Sequence, residues 1–261
     1  MSISNDIKDI LNSYTPISLK EMDSVALMNR IDTKYVFNIL LLPELLKESA
    51  VFFQVLEIAG ERMFAYNTTY YDTSGYSLFN NHLRGRLNRH KVRHRIYEST
   101  GVSYLEIKFK SNKNRTIKWR IKNEMNGHFD DKATSFLMEY THMDAQSLIP
   151  VITNRFNRIT LVSIENKTRI TLDFGLSFKG SDMKNKELPY LAIAEVKQDG
   201  NNNHNPFVHL LRKRGIRQAG FSKYCMGSAM LYDIPRKNSL KPKFLQLKRI
   251  EQEYDAHTFG S

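Results

Sequence analysis

Residues 91–97 (KVRHRIY), 104–110 (YLEIKFK) and 116–122 (TIKWRIK) share one pattern. Polar and apolar residues alternate in each stretch, which predicts three β-strands because successive side chains of a strand point to opposite faces of a sheet. The polar face of all three predicted strands is cationic. Like charges that lie opposite each other on neighbouring strands destabilise a sheet. Three such strands in succession therefore predict a face that binds a polyanion.

Positive charge is concentrated in this part of the chain. The 261-residue chain has a net charge of +12, and residues 81–125 contain 13 Lys and Arg against three Glu, a net charge of +10. This indicates an anionic partner, which could be a phosphorylated small molecule, a nucleic acid or an anionic membrane surface. A content of 41% hydrophobic and 25% charged residues is typical of a globular protein and excludes a disordered chain.

Cysteine content and apolar runs exclude further classes of protein. Cys225 is the only cysteine, which excludes a disulfide framework and a cysteine-based zinc site. No apolar run approaches the roughly 18 residues of a membrane-spanning helix, and residues 1–20 lack the apolar core of a signal peptide. We therefore expect a cytoplasmic protein, and association with the inner face of a membrane would need a surface patch or a partner.

Further strands and helices are predicted on both sides of the cationic strands. Alternation of polar and apolar residues predicts additional strands at 30–37, 63–72, 151–154, 156–164, 168–174 and 191–197. Helical spacing of apolar residues predicts helices at 4–12, 18–29, 43–50, 130–146, 207–214, 222–231 and 244–254, and a loop is expected at 200–206.

These elements predict an α+β fold. About eight antiparallel strands with helices at the ends indicate an eight-stranded antiparallel β-barrel with helices packed on the outside. We expect residues 1–234 to form this domain and residues 235–261 to form a basic C-terminal tail.

The polar faces of the later strands continue the opening pattern, because Arg158, Arg169, Asp173, Glu195 and Lys197 all alternate with apolar residues. These faces could be the solvated side of an ordinary antiparallel sheet. Alternatively, they converge in the lumen of a barrel, where a cavity filled with water or ligand is one of the few ways to enclose so many charges. The predominance of Arg and Lys and the strongly apolar opposite faces favour the lumen.

Several short motifs follow one another in a specific order along the chain. They are Arg30-x-Asp-x-Lys34, Lys91-Val-Arg93-x-Arg95, Glu106-Ile-Lys108, Lys118-x-Arg120, Arg169-x-Thr-x-Asp173, Glu195-Val-Lys197 and Ser222-Lys223. Together they resemble the VTC (vacuolar transporter chaperone) domain, the polyphosphate polymerase branch of the CYTH-like triphosphate tunnel metalloenzymes. The resemblance covers roughly residues 20–232. It implies an eight-stranded tunnel that binds triphosphate or polyphosphate with a divalent metal, Mn²⁺ or Mg²⁺, and that makes inorganic polyphosphate from ATP.

The resemblance also implies roles for individual residues. The implied catalytic residues are Lys34, Arg93, Arg95 and Arg158. The implied phosphate- and polyphosphate-binding residues are Arg30, Lys34, Arg93, Arg95, Lys108, Lys118, Arg120, Arg158, Arg169, Lys197, Ser222 and Lys223. Glu195 is the implied metal ligand, with Glu106 and Asp173 as candidate helpers.

Two departures from the family pattern affect the predicted function. Phe156 stands where the family usually has Tyr, so a hydroxyl contact is lost. The hydrolase branch of the superfamily carries Glu-x-Glu-x-Lys on its first strand, whereas this chain carries Arg30-x-Asp32-x-Lys34, which favours the polymerase branch.

Other functions stay open. The same fold could serve as a tripolyphosphatase or nucleoside triphosphatase, or as a non-catalytic polyphosphate-binding subunit. The expected partners are ATP, inorganic polyphosphate, and phosphate or pyrophosphate, and a membrane-protein partner is a further possibility. We rank nucleic-acid binding last, because the cationic faces lack interleaved exposed aromatic residues.

Overall fold

The computed structural model describes residues 3–24, 30–113, 115–124, 127–165, 167–199, 205–234 and 236–259. The α-helices of these residues are α1 (Ile3–Asn12), α2 (Leu19–Ser24), α3 (Leu42–Ser49), α4 (Ser77–Leu83), α5 (Asp131–Thr141), α6 (Pro206–Lys213), α7 (Lys223–Leu231) and α8 (Lys241–Phe259). The strands are β1 (Pro16–Ile17), β2 (Arg30–Asn38), β3 (Gln54–Leu56), β4 (Phe64–Asp72), β5 (Arg89–Tyr97), β6 (Ser103–Lys110), β7 (Thr116–Lys122), β8 (Ile149–Ser163), β9 (Thr168–Gly180) and β10 (Asn185–Asp199).

Eight of the strands form one antiparallel sheet in the order β2-β10-β9-β8-β4-β5-β6-β7. The short strand β3 joins β8 and pairs with β1. Within the described ranges, β2 and β7 end the ladder and are not paired with each other. Residues of both strands nevertheless line one cavity, so the sheet curls until its two ends face each other. The predicted α+β fold with eight antiparallel strands is confirmed, and the hydrogen-bond ladder is open at this one seam.

One long strand takes the place of two predicted ones. The sequence predicts separate strands at 151–154 and 156–164, but β8 runs without interruption through both. Its pairing with β9 shifts register around Phe156, where β9 contains an extra residue, Gly175, with a φ of 61°. Gly adopts this conformation without steric cost, and such a β-bulge disrupts the pairing and bends the strand without ending it. After the bulge the apolar residues of β9 change sides, because Phe174 packs in one core cluster and Phe178 in another.

Helices cover the convex face of the sheet in two places. Helices α1, α3 and α6 pack over the strands around β9 and β10, in a cluster with Leu172 and Ala194 at its centre. Helix α5 packs over β5 and β6 through Leu137, against Val92 and Leu105. The convex side of these strands is therefore apolar, as the alternation predicts, and their polar side faces inward, except where β8 and β9 contact helix α7.

Helix α7 lies on the concave side and is buried on all sides, as expected for a helix that is apolar around its circumference. It contacts β8, β9 and β10. Gly227 allows this close packing, because a Cβ atom there would lie 2.8 Å from Ile152 and closer still to Phe178. The helix fills one end of the concavity with apolar side chains and leaves the other end to the cationic residues.

The C-terminal helix is longer than the short helix predicted at 244–254. Helix α8 has 19 residues, and its Leu247 and Ile250 are buried in the same core cluster as α7. The basic residues Lys248 and Arg249 are exposed. Residues 25–29 of the predicted helix 18–29 and residues 200–204 of the predicted loop lie outside the described residues. None of the described helices is long and apolar enough to cross a membrane.

Candidate functional site

The concave face encloses a cavity of about 310 Å³ beside the N-terminus of α7. Most of the residues that the sequence analysis selects meet there. The predicted site residues in the cavity lining are Lys34, Arg93, Arg95, Lys108, Lys118, Arg158, Asp173, Glu195, Lys197, Ser222 and Lys223. They come from seven different strands and from the start of α7, so the curl of the sheet brings together residues that are far apart in sequence.

Three predicted site residues lie outside the lining, and the side-chain position of a fourth is not described. Arg120 is exposed, and its guanidinium carbon lies 4.7 Å from the centre of the Tyr104 ring. Arg169 donates a hydrogen bond of 2.9 Å to the Met22 carbonyl. Glu106 is fully buried behind the lining. The side chain of Arg30 is outside the described part of the chain.

The lining also contains residues that the sequence analysis does not select as site residues. Lys91 has the same alternation as Arg93 and Arg95, so the pattern itself could have identified it. Tyr66 and Tyr70 of β4 also line the cavity. Both alternate with other residues in an aromatic-rich strand, as core residues do. No sequence signal distinguishes them from aromatic residues that pack in a core.

The first charged group of the site consists of Arg93, Glu106 and Lys118. The Arg93 Nε atom donates to Glu106 Oε2 at 2.7 Å, and the Lys118 ammonium group contacts the other carboxylate oxygen. Burial raises the pKa of Glu106, but the charges of Arg93, Arg95 and Lys118 outweigh burial and hold this pKa below its usual range. Glu106 is therefore an ionised counter-charge that fixes two cations of the wall.

The second group consists of Arg158, Asp173 and Lys223. Arg158 binds the Asp173 carboxylate with two hydrogen bonds, from Nε at 2.6 Å and from Nη2 at 2.8 Å. The Lys223 ammonium group donates to the same carboxylate and lies 4.2 Å from the centre of the Phe156 ring. Burial lowers the pKa of Lys223 to about 8, although Asp173 opposes this shift.

The third group lies on β2 and β10, where Glu195 is the register partner of Lys34 and Lys197 is the register partner of Asp32. The Lys34 ammonium group donates to Glu195. Lys197 Nζ lies 3.7 Å from Glu195 Oε2 and 3.8 Å from Asp32 Oδ2. Burial raises the pKa of Glu195, but Lys34 and Lys197 outweigh this effect, so the carboxylate is ionised.

Three further cations of the wall, Lys91, Arg95 and Lys108, form no ion pair with the described residues. Lys91 Nζ lies 3.1 Å from the Ser222 hydroxyl, and burial lowers its pKa to about 8. Arg95 Nε donates to the Thr68 hydroxyl at 3.1 Å. The charge of Arg93 and burial place the pKa of Lys108 well below its usual value. These cations are the strongest candidates for contact with an anionic ligand.

The N-terminus of α7 adds a further anion-binding element. The Ser222 hydroxyl caps the helix by accepting a hydrogen bond of 3.3 Å from the Cys225 amide, and both Ser222 and Lys223 line the cavity. A helix N-terminus attracts anions because its first amide groups are unpaired and the helix dipole is positive there. Tyr224 follows directly, and its hydroxyl binds the buried carboxylate of Asp72. This bond fixes the start of α7 against the N-terminal turn of α4, whose amides at Leu78 and Phe79 donate to the same carboxylate.

Fold and cavity together define an antiparallel tunnel fold with a cationic lumen. The chain belongs to the VTC domain family, because the family model for the VTC domain matches residues 29–232. This membership confirms the resemblance that the sequence motifs indicate.

Comparisons with other proteins concern the fold. A candidate adenylate cyclase from Vibrio parahaemolyticus is 13% identical, with 76% of this chain and 99% of that chain covered and a TM-score of 0.46. The Hippeastrum protein HpAC1, which its description credits with a dominant triphosphatase activity, is 14% identical, with 79% and 98% covered and a TM-score of 0.49. A candidate adenylate cyclase from Bacillus halodurans is 13% identical, with 74% and 94% covered and a TM-score of 0.49. No curated protein sequence matches the chain significantly.

Proposed function

We propose that this protein is a metal-dependent polyphosphate polymerase that transfers the terminal phosphate of ATP to a growing inorganic polyphosphate chain inside the cavity. One observation carries the proposal: nine cations line a single cavity, whereas only three carboxylates line it and a fourth lies directly behind the wall. Such an excess of positive charge, arranged on all sides, suits a ligand with several consecutive phosphate groups. Membership of the VTC domain family supports the same activity.

The residues of the cavity have the properties that phosphoryl transfer requires. This reaction depends on in-line positioning of the reacting groups and on neutralisation of the charge on the transferred group. Arginines bind phosphate oxygens in a fixed bidentate geometry, and lysines supply point charges that adjust to the ligand. In this proposal Arg93, Arg95 and Arg158 orient the triphosphate. Lys34 neutralises the negative charge of the phosphate groups next to Glu195. The attacking phosphate oxygen is already ionised at neutral pH, so the protein needs no strong general base.

The carboxylates of the cavity fit a divalent metal that is bound chiefly by its substrate. No group of three acidic, His or Cys side chains suitable for a metal occurs among the described residues. Mg²⁺ is nevertheless commonly bound by one or two carboxylates together with substrate phosphates and water. Each of the three carboxylates contacts two cations, but the Glu195 side chain is 18% exposed in the cavity, whereas that of Asp173 is 5% exposed and that of Glu106 is fully buried. Glu195 would therefore hold Mn²⁺ or Mg²⁺, which would neutralise phosphate charge.

The test is incubation of the purified protein with ATP and Mn²⁺, with the products separated by chain length. We expect polymer from the native protein and none from Lys34→Ala or Glu195→Ala. Arg249→Ala, which removes an exposed cation of α8, serves as the control and retains activity. Release of orthophosphate without chain growth would identify a hydrolase, and binding of polyphosphate without turnover at any metal concentration would identify a non-catalytic subunit. Either result overturns the proposal.

A further inference from the structure

An aromatic ledge leads from the cavity wall to the surface of the protein. We define this ledge by Tyr97, Tyr104 and Arg120, on the neighbouring strands β5, β6 and β7. Tyr97 lines the cavity. The ring centres of Tyr97 and Tyr104 are 5.9 Å apart in an edge-on arrangement, and the Arg120 guanidinium lies over the Tyr104 ring at 4.7 Å.

The ledge lies on the same face of the sheet as the cationic wall. Tyr104 is the register partner of Arg95, and Arg120 is the register partner of Glu106. Direct register partners share one face of a sheet. The ledge therefore continues the surface that carries Arg95. It lies two positions from Arg95 on β5, two positions from Lys118 on β7 and four positions from Lys108 on β6.

The ledge differs from the cavity in its chemistry. Arg120 is exposed and Tyr104 is half-buried, whereas Arg93 and Arg95 are both buried. No carboxylate forms an ion pair with Arg120 within the part of the chain that the structure describes. Its guanidinium carbon lies over the Tyr104 ring, and both the guanidinium group and the ring are planar groups on which a further planar group can stack.

We propose that this ledge binds the base of the nucleoside triphosphate, while the triphosphate extends into the cavity past Arg95. This inference rests on the proposed function, since it names where the nucleoside part of the substrate lies. Bases stack on aromatic rings and on arginine planes, and such stacking tolerates every base. The ledge is therefore expected to accept ATP and GTP about equally. In this proposal Arg120 contacts the base and not a phosphate group.

The proposal is tested by measuring equilibrium binding of ATP and of inorganic tripolyphosphate to the full chain, by calorimetry without turnover in the absence of added metal. Tyr104→Ala and Arg120→Ala are expected to weaken ATP binding by about 5-fold or more, the low end of what stacking of one base contributes. Tripolyphosphate, which has no base, should bind these variants as tightly as it binds the native protein. Arg120→Lys keeps the charge but loses the plane, and it should weaken ATP binding as the alanine variant does.

Lys122→Ala is the matched control, because Lys122 is an exposed cation on the same strand and the register partner of Tyr104. It should change the binding of both ligands to the same small extent. Equal weakening of ATP and tripolyphosphate in Arg120→Ala would place Arg120 on phosphate and overturn the proposal. Unchanged ATP binding in Tyr104→Ala would overturn it as well. Both readouts are independent of chain growth, so a failure of the polymerase assay leaves this result interpretable.

Discussion

Asp173→Asn is the change that most directly tests how the cavity is held together. It keeps the size of the side chain but removes the buried charge that binds Arg158 and Lys223. Removing one partner of a buried ion pair costs about 3–5 kcal/mol, because the remaining charge is left buried and uncompensated. For a chain of this size, about 3 kcal/mol corresponds to a fall in Tm of about 6–12 °C. Thermal unfolding followed by circular dichroism measures this fall.

Tripolyphosphate distinguishes a charge effect from a packing effect in the same assay. Its phosphate groups bring negative charge to Arg158 and Lys223, so a saturating concentration should narrow the gap in Tm between variant and native protein. The pKa of Asp173 is held below its usual value. Its contribution to stability is therefore present above about pH 4 and decreases as the pH falls below that value. Asp182→Asn, which removes an exposed aspartate paired with Lys184, should leave Tm unchanged.

Two results would refute this reasoning. The first is a Tm of Asp173→Asn within about 2 °C of the native value, since that corresponds to less than about 1 kcal/mol. The second is a gap in Tm that saturating tripolyphosphate leaves unchanged, because the lost stability would then not be electrostatic in origin.

Three further predictions concern protonation and packing. Burial lowers the pKa of Lys91, Lys118 and Lys223 to about 8, and a bound anion raises the pKa of a lysine. Binding of tripolyphosphate near pH 8 should therefore be accompanied by uptake of protons, and its affinity should fall as the pH rises. Calorimetry in buffers of different ionisation enthalpy measures this uptake. Gly227→Val should prevent folding or lower the free energy of unfolding by about 1–3 kcal/mol or more, because its side chain would overlap Phe178; urea denaturation shows this. Tyr224→Phe should cost about 1–3 kcal/mol in the same measurement, because Asp72 loses a buried donor.

The face of each strand was predictable from the sequence, because alternation alone assigns residues to one side or the other. Arg93 and Arg95 line the cavity as the pattern of 91–97 indicates, and the apolar partners Val92 and Leu105 are buried under α5. Motif order along the chain indicated the family, which the match over 29–232 confirms.

Position along a strand was not predictable in the same way. Arg120 and Arg169 alternate correctly, but neither lines the cavity, because Arg120 lies over the Tyr104 ring and Arg169 binds the Met22 carbonyl. Alternation has no information on how far a residue lies from the centre of the sheet or on which way a long side chain leans. The bulge at Gly175 was also not predictable from the sequence. Whether a strand contains an extra residue depends on how it pairs with its partner strand, and the sequence of one strand does not show this.

The burial of seven of the nine residues of α7 has a consequence for the proposed polyphosphate substrate, which is made of identical units. A helix packed in this way would not close over a ligand, so under the proposed function Ser222 and Lys223 would meet each phosphate group at a fixed place. Along a homopolymer every unit offers the same oxygens at the same spacing. Moving the chain by one unit then exchanges each contact for an equivalent one and leaves the interaction energy unchanged. If the cavity holds polyphosphate, as we propose, the buried helix α7 would let that polymer advance past Ser222 and Lys223 in equal steps.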